Sequence, residues 1–274
     1  MKNISIVIPA HRASHTLDSA ITSILDEQNV GEVIIGVNSH DATFEKALEL
    51  MAKYPDLSFK ILPPESEVLS ASENFSRVCA EATLPFTKLL CADDRVIAGS
   101  LKKQLDLLMT IPSAPFVGGK RRIESTWGET LFASRGGSFL PKSFSQKDFL
   151  ISLCLTGSNP IGEPSAVLFR TKWLKQALPW NGILPFATDL DFYLRAMKLA
   201  NDSALFLAEN VSVFVISRTA WSFSIGNSQS FDVFQFIKQH SKLLPYPGWL
   251  YIRIGWVMTN ISMLGRKIMY SRIR

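Results

Sequence analysis

The chain has 274 residues, 47% of them apolar, enough for one large α/β domain with appendages or two small ones on a substantial core. Only 19% of residues are charged, and the net charge of +5 gathers at one end: the last 22 residues hold Arg253, Arg266, Lys267, Arg272 and Arg274 and no acid. That pattern argues for an anionic surface near the C-terminus and against a nucleic-acid groove, and no run reaches the ~18 uninterrupted apolar residues of a clean transmembrane helix.

Ile4-Ser5-Ile6-Val7-Ile8 is a β-branched run and predicts a central strand, left through Pro9-Ala10-His11-Arg12. A short apolar run that Pro9 ends reads as a first strand, not as a targeting segment. Leu17, Ala20, Ile21, Ile24 and Leu25 recur at helical spacing and predict a crossover helix from about His15 to Glu27. Residues 33–37 predict a second buried strand, ending in the polar turn Asn38-Ser39-His40-Asp41. A helix from Thr43 to Tyr54, a strand over residues 59–62 and a helix from Leu69 to Ala82 follow. The fourth strand, Phe86 to Leu90, leads into two adjacent acids, Asp93 and Asp94. Paired carboxylates at the carboxyl end of a buried strand can hold a hard divalent cation, and the cation a diphosphate. The alternative is a surface turn with two solvated acids. Repeated strand–helix alternation predicts a parallel, doubly wound sheet with right-handed crossovers. Cys79, Cys91 and Cys154 have neither disulfide nor metal spacing and read as buried thiols in a reducing compartment.

This first third resembles the nucleotide-binding half of family 2 glycosyltransferases, which have a GT-A fold. Members open with a strand ending Ile-Pro, continue to a strand ending Val-Asp-Asp-Gly-Ser, and place an Asp-x-Asp-Asp-like motif at a later strand end. Here those places hold Ile8-Pro9, Val37-Asn38-Ser39-His40 and Cys91-Ala92-Asp93-Asp94. The resemblance covers about residues 3 to 110 well and extends more weakly to about 220. It implies donor contacts at Pro9, His11, Asn38, Ser39 and Asp94 and a Mg²⁺ or Mn²⁺ ion on Asp93. Asn38 and Ser39 stand where the family has an Asp that accepts from the uracil N3–H, so a base can still bind an amide oxygen but with less selectivity. Cys91 replaces the first acid of the motif, which leaves the metal mainly to Asp93. Asp94 then either contacts the donor ribose or caps the helix that starts near Gly99.

Downstream, Leu101, Leu105 and Leu108 predict a helix before Pro112, and Pro115 to Gly119 a strand running into Lys120-Arg121-Arg122. That cluster reads first as a solvated charge run and second as a phosphate contact. Ser125 to Ser145 shows no period and reads as a loop. Ile161-Gly162-Glu163-Pro164-Ser165 precedes a strand over residues 166–169. Similar Gly-Glu-Pro stretches occur in family 2 members acting on envelope polysaccharides, which implies Glu163 near the acceptor; a tight turn with a surface acid is the alternative. Thr188 predicts an N-cap for a helix bearing Leu190, Tyr193, Leu194 and Met197. Asp189 sits in its first turn, where the family carries its catalytic base, and Asp191 and Arg195 also fit the pattern; a capping acid is the alternative. Phe206-Leu207 and residues 211–216 predict a strand pair, followed by a loop in which Arg218 would neutralise diphosphate charge. From Leu243 the tail combines Trp249, Tyr251 and Trp256 with cations, which suits a helix lying in a bilayer interface or packed on the protein's own body or a second subunit.

The implied architecture is α/β of GT-A type: a doubly wound, mostly parallel sheet with flanking helices and a C-terminal helical tail. Residues 1–110 would form the donor half, 111–243 the acceptor-binding and catalytic half, and 244–274 the tail. The implied activity is inverting, metal-dependent transfer from a nucleotide-sugar donor to a hydroxyl of a glycan or lipid-linked acceptor in cell-envelope polysaccharide synthesis. Asp189 would act as base, at the cytoplasmic face of the membrane, with an anionic membrane surface and a homodimer among the partners and no nucleic acid. The rival is a non-catalytic protein of the same fold that binds nucleotide or glycan or scaffolds a membrane complex, kept open by Cys91, Asn38-Ser39 and Thr188. No Gly-rich, Arg-Leu-containing phosphate loop follows the first strand, which disfavours a sugar nucleotidyltransferase.

Overall fold

A computed structural model describes residues 2–216 and 228–271. Strands β1 (Ile4–Ala10), β2 (Val30–Val37), β3 (Phe59–Leu62) and β4 (Phe86–Leu89) alternate with helices α1 (Leu17–Thr22), α2 (Thr43–Lys53) and α3 (Ala71–Ala80). There follow β5 (Arg95–Val96), α4 (Ser100–Met109), β6 (Phe116–Ser125), β7 (Thr130–Arg135), β8 (Ser143–Phe144), α5 (Gln146–Thr156) and β9 (Leu168–Arg170). The chain continues through α6 (Thr171–Ala177), α7 (Thr188–Ala200), β10 (Ala204–Ile216), α8 (Ser228–Gln239) and α9 (Gly248–Ser271). The ten strands of the described residues join one sheet in the order β3-β2-β1-β4-β9-β6-β10-β5, with β7 added on β6 and β8 on β10.

Side-chain alternation along β1 sets up a core on each face of this sheet. Ile4, Ile6 and Ile8 enter one cluster with Leu17 and Ile21 of α1, Leu50 of α2 and Leu101 and Leu108 of α4. Val7 enters the other with Val78 of α3, Leu153 of α5 and Tyr193 of α7. Each fully buried Ile or Leu contributes roughly 1.5–3 kcal/mol, so helices are held on both faces, as doubly wound sheets require. β1 pairs in parallel with β2 and β4, and β2 with β3. β9 breaks the pattern by running antiparallel between β4 and β6. The sheet is therefore mixed and mostly parallel in its first half, with flanking helices and a C-terminal helix.

Several elements differ from the sequence-based expectations for identifiable reasons. The helix expected over His15–Glu27 lasts only from Leu17 to Thr22, because the Ser23 hydroxyl donates to the Ala20 carbonyl (2.7 Å) and accepts from the Val96 amide (3.0 Å), drawing the chain into turns. Residues 125–145 hold β7 and β8 rather than only loop. β7 is an edge strand with mostly exposed residues, so no buried face imposes a two-residue period. The strand pair expected at 206–216 is one strand, β10, with register irregularities between Leu207 and Ser212. Thr188 is not the N-cap of α7; Ala187 is, and Asp189 accepts from the Leu190 amide (2.9 Å). α5 carried no expectation at all. Phe149, Leu150, Ser152, Leu153 and Cys154 are all buried, a helix apolar on most sides that shows no stripe; only the capping box of Ser145 with Asp148 marks its start.

The tail is helical, as expected, and one of its faces belongs to the protein's own body. Gly255 and Thr259 are buried against α5, and a Cβ on Gly157 would lie 2.2 Å from the Met258 carbonyl, so the α5 terminus and α9 meet backbone to backbone. The opposite face leaves Trp249, Trp256, Ile261, Leu264 and Ile268 more than half exposed. Among the described residues no helix is long and apolar enough to cross a membrane.

Candidate active site

The chain leaves β4 through Leu90 and turns at Cys91–Asp94 before β5. One ligand atom from each of Cys91, Asp93 and Asp94 lies within 4.8 Å of the others. The two carboxylates differ in their partners. Asp94 is 1% exposed and accepts from the Ser165 hydroxyl (2.6 Å) and the Val215 amide (3.1 Å). Ser165, in a single 3₁₀ turn over residues 164–166, also accepts from the Cys91 amide (2.9 Å). Asp94 therefore ties the end of β4 to β10 and to the 160s turn. It does not cap α4; the Glu27 carboxylate accepts the Gly99 amide there (2.6 Å). Asp93 makes no side-chain hydrogen bond or ion pair to another described residue, which leaves its oxygens available.

Burial pushes both carboxyls up, Asp94 well above the usual range with Asp93 beside it adding to the effect. No ion pair with either is present among the described residues, although the buried Lys88 ammonium of β4 lies in electrostatic reach of Asp94 and is itself pushed down to about 7 by burial. A buried Asp94 and a half-buried Asp93 without a bonded cation fit a hard divalent ion such as Mg²⁺ or Mn²⁺. Cys91 fits it poorly, because burial, then Asp94 and Asp93, hold its thiol protonated.

Across the cleft, the N-terminus of α7 brings Asp189 up beside the 160s turn. Asn159 organises this contact: its amide nitrogen donates to Asp189 (2.6 Å) and to the Gly162 carbonyl (2.7 Å), and its oxygen accepts from the Ile161 and Gly162 amides (3.0 and 3.1 Å). The Tyr193 hydroxyl donates to the same Gly162 carbonyl (3.0 Å). Burial, and then the Glu163 charge, push the Asp189 carboxyl up to about 7. A carboxylate poised there takes a proton from a hydroxyl near neutral pH far better than an ordinary Asp. Glu163 faces this cluster but is itself paired with Arg121 of β6, through Nε and through Nη2 at 3.1 Å. Arg121 is 4% exposed, so the basic cluster is not the solvated charge run that the sequence suggested; its middle residue is buried inside the site.

The remaining expected contacts divide. Pro9, His11, Asn38 and Ser39 gather at the carboxyl ends of β1 and β2. His11 Nδ1 meets the Asn38 carbonyl (2.7 Å), and Ser39 accepts from the Arg12 amide (3.1 Å) while donating to Asp41 (2.8 Å). Asn38 spends its amide on the peptide of Leu69, donating to the carbonyl and accepting from the N–H at 2.8 Å each. An open recess of about 640 Å³ begins beside Ser39, walled by Phe44, Pro63 and Pro64. Asp191 and Arg195, by contrast, stand away from the cluster. They pair with each other (2.7 Å), and Arg195 donates to the carbonyls of Ala177 and Pro179, which pins α7 to the end of α6. Arg218 lies outside the described residues. Asn159, Ser165 and Lys88 carried no sequence signal, because a lone Asn, Ser or strand Lys acquires its meaning only from what the fold places opposite it.

The sheet order, the paired acids at the end of β4 and the helix-borne acid across the cleft define a GT-A fold. Superposition agrees. The chain aligns with Staphylococcus aureus TarS over 95% of its own length and 44% of that chain, with a TM-score of 0.64 and 15% identity. The shorter TarS 1–349 in complex with UDP-GlcNAc aligns over 94% of this chain and 72% of its own, at a TM-score of 0.62. The mannosyltransferase PcManGT from Pyrobaculum calidifontis, in complex with GDP-Man and Mn²⁺, aligns over 96% and 74%, at 0.64 and 15% identity. In sequence the chain is 25% identical over 202 residues to the uncharacterized protein MT1568 of Mycobacterium tuberculosis, covering 71% of this chain and 61% of that one. The chain thus spans less than two thirds of that relative and less than half of full-length TarS. No family model matches the sequence.

Proposed function

We propose that the protein is an inverting glycosyltransferase that moves a sugar from a nucleotide-sugar donor to a hydroxyl of a glycan or lipid-linked acceptor. The observation that carries this reading is the convergence of Asp93 and Asp94 with a base-tuned Asp189 around one turn, residues 159–165, on a GT-A fold. Asp189 takes the proton of the acceptor hydroxyl as that oxygen bonds to the anomeric carbon; the carbon–oxygen bond to the diphosphate breaks on the opposite face, and its electron pair leaves with the nucleotide. Asn159 orients Asp189 through the hydrogen bond to its carboxylate. A Mg²⁺ or Mn²⁺ ion held on Asp93 would neutralise charge on the departing diphosphate. Residues 1–110 serve the donor and residues 111–243 the acceptor.

The relatives bound to UDP-GlcNAc and to GDP-Man with Mn²⁺ support a donor of this class without choosing the base. A screen of purified protein against UDP-, GDP- and dTDP-sugars, with and without EDTA, tests the proposal. Metal-dependent release of nucleoside diphosphate from one donor supports it. Binding without turnover for every donor would instead establish the non-catalytic reading, which the protonated Cys91 and the occupied Asn38 amide favour.

The exposed face of α9 is the basis for placing the protein at an anionic membrane surface. After Asp232 the chain contains no acid, while Lys238, Lys242, Arg253 and Lys267 flank the exposed Trp249 and Trp256. Full-length protein should float with anionic vesicles at low salt and be released at about 1 M salt, where the Debye length is ~3 Å. Failure to float at low salt would leave this face to a second subunit.

A further inference from the structure

Lys88 is fully buried in the middle of the sheet, and the transfer proposed above makes no use of it. Its register partners, Ile6 of β1 and Leu168 of β9, belong to the apolar cluster that α1, α2 and α4 cover. Among the described residues the ammonium bonds to one neighbour, the side-chain oxygen of Gln104 on α4 (3.0 Å), and forms no ion pair. Glu27 and Asp94 balance its charge only from a distance, and burial outweighs them. A buried ammonium with a single acceptor is costly, and a Leu or Met would fill the same space without that cost. Packing alone does not account for this residue.

What the ammonium does is set one amide. It is a donor only, so Gln104 must turn its oxygen toward it. The Gln104 nitrogen is then left to donate to the carbonyls of Val117 (3.2 Å) and Ala166 (3.0 Å). Ala166 ends the 3₁₀ turn over residues 164–166, and its neighbour Ser165 accepts from the Cys91 amide and donates to Asp94. Lys88 thus orients an amide that ties α4, β6 and the 160s turn together behind the paired acids. The same turn region carries Gly162, whose carbonyl shares the Asn159 amide with Asp189. One buried network therefore reaches both sides of the cleft, while Lys88 itself bonds to no acid.

We propose that Lys88 is a positioning residue: by fixing the orientation of Gln104 it holds the 160s turn, and through Ser165 it holds Asp94 and the cation site beside it. The link to the cation rests on the metal-dependent glycosyltransferase reading; the link to the turn stands without it. A hydrogen bond to a charged donor is stronger than one between neutral groups, which suits an amide that must not flip.

Two measurements on the full-length protein test this. One is hydrogen exchange, without ligand, at the amides of Cys91, Ala166 and Val167, which bond to Ser165, Glu163 and Pro164. The other is Mn²⁺ titration in the presence of UDP or GDP, followed by the paramagnetic resonance of the free ion. Lys88→Met keeps the side chain's length and removes the donor; Gln104→Met removes the amide. Each should speed the exchange and weaken Mn²⁺ binding by about tenfold, the size of one lost hydrogen bond to a charged group. The double variant should lose no more than either single one, because both act through the same amide. Lys88→Gln, which can still donate to Gln104, should recover part of both effects, and it replaces Lys88→Met if that variant does not fold. Unchanged exchange and Mn²⁺ affinity in the folded variants overturn the proposal, and additive losses overturn the route through Gln104. Tighter Mn²⁺ binding by Lys88→Met would make the ammonium only a competing charge, which overturns it too. If wild type binds no Mn²⁺ with either nucleotide while the variants still loosen the turn, the metal assignment fails and the hold of Lys88 on the turn stands.

Discussion

Replacing Asp189 with Asn should make the protein more stable and less active, and the two effects have one cause. Burial, reinforced by Glu163, moves this carboxyl from an ordinary 3.8 to about 7, which corresponds to roughly 4 kcal/mol of disfavoured ionisation in the folded state. The folded protein binds the extra proton more tightly than the unfolded chain, so this stability cost is absent below pH ~4. It grows as pH rises through the window from 3.8 to about 7 and is complete above it. Asn carries no charge to bury. It offers one acceptor oxygen where the carboxylate used two, for Asn159 and for the Leu190 amide, which removes about 1 kcal/mol. Urea denaturation at pH 8, without metal or donor, should therefore show the variant more stable by about 3 kcal/mol, and at pH 4 no more stable than wild type. Turnover should fall by roughly 10²–10⁴-fold while donor affinity holds. Equal stability differences at pH 4 and pH 8 would refute the buried, proton-poised Asp189, and full turnover in the variant would reduce it to a helix-terminal acid.

Asp93→Ala should remove Mn²⁺-dependent nucleotide binding in calorimetry, since Asp94 is already committed to Ser165 and Val215; unchanged metal-dependent affinity would misplace the ion. Ser165→Ala should lower the melting temperature, because it leaves the buried Asp94 with one donor fewer, a cost of about 1–3 kcal/mol, and a variant melting with wild type would show that Asp94 is otherwise satisfied. Gly157→Ala should destabilise strongly, its new Cβ meeting the Met258 backbone at 2.2 Å in a left-handed conformation (φ +62); a neutral effect would mean that α9 is not docked on α5. Nucleotide competition should show less than about hundredfold preference for UDP over GDP, because the Asn38 amide is already bonded to the Leu69 peptide at the place where an ionised acid would make a charge-assisted bond to the base.

The first half of the fold was legible because each signal there is local. β-branched runs such as 33–37 must be buried strands wherever they sit, and the spacing of Phe44, Ala47, Leu48 and Met51 predicts a helix from the residues alone. The order strand, helix, strand then leaves few topologies, and paired acids after a buried strand emerge at a sheet edge almost by necessity. Asp93 and Asp189 were nameable for the same reason: each is an acid at an element's end.

What the local pattern could not carry is who faces whom. Thr188, Asp191 and Arg195 read as parts of one motif with Asp189, but a helix turns 100° per residue and the side chains diverge, so Asp191 and Arg195 face α6 instead. Lys120-Arg121-Arg122 looks uniform in sequence, and only the alternation of a strand, with Glu163 across from it, buries Arg121. Asn38 looked like a base reader until the Leu69 peptide occupied both of its amide atoms. The proton-poised state of Asp189 is likewise a property of its surroundings, burial among residues 30 positions away, and no composition or spacing encodes a local dielectric. Local pattern was enough to name the elements of the first half and to put Asp93 and Asp189 at element ends; only the tertiary structure decided which acids lost water, which found a partner, and which was left free to act, because desolvation and pairing depend on neighbours brought from far along the chain.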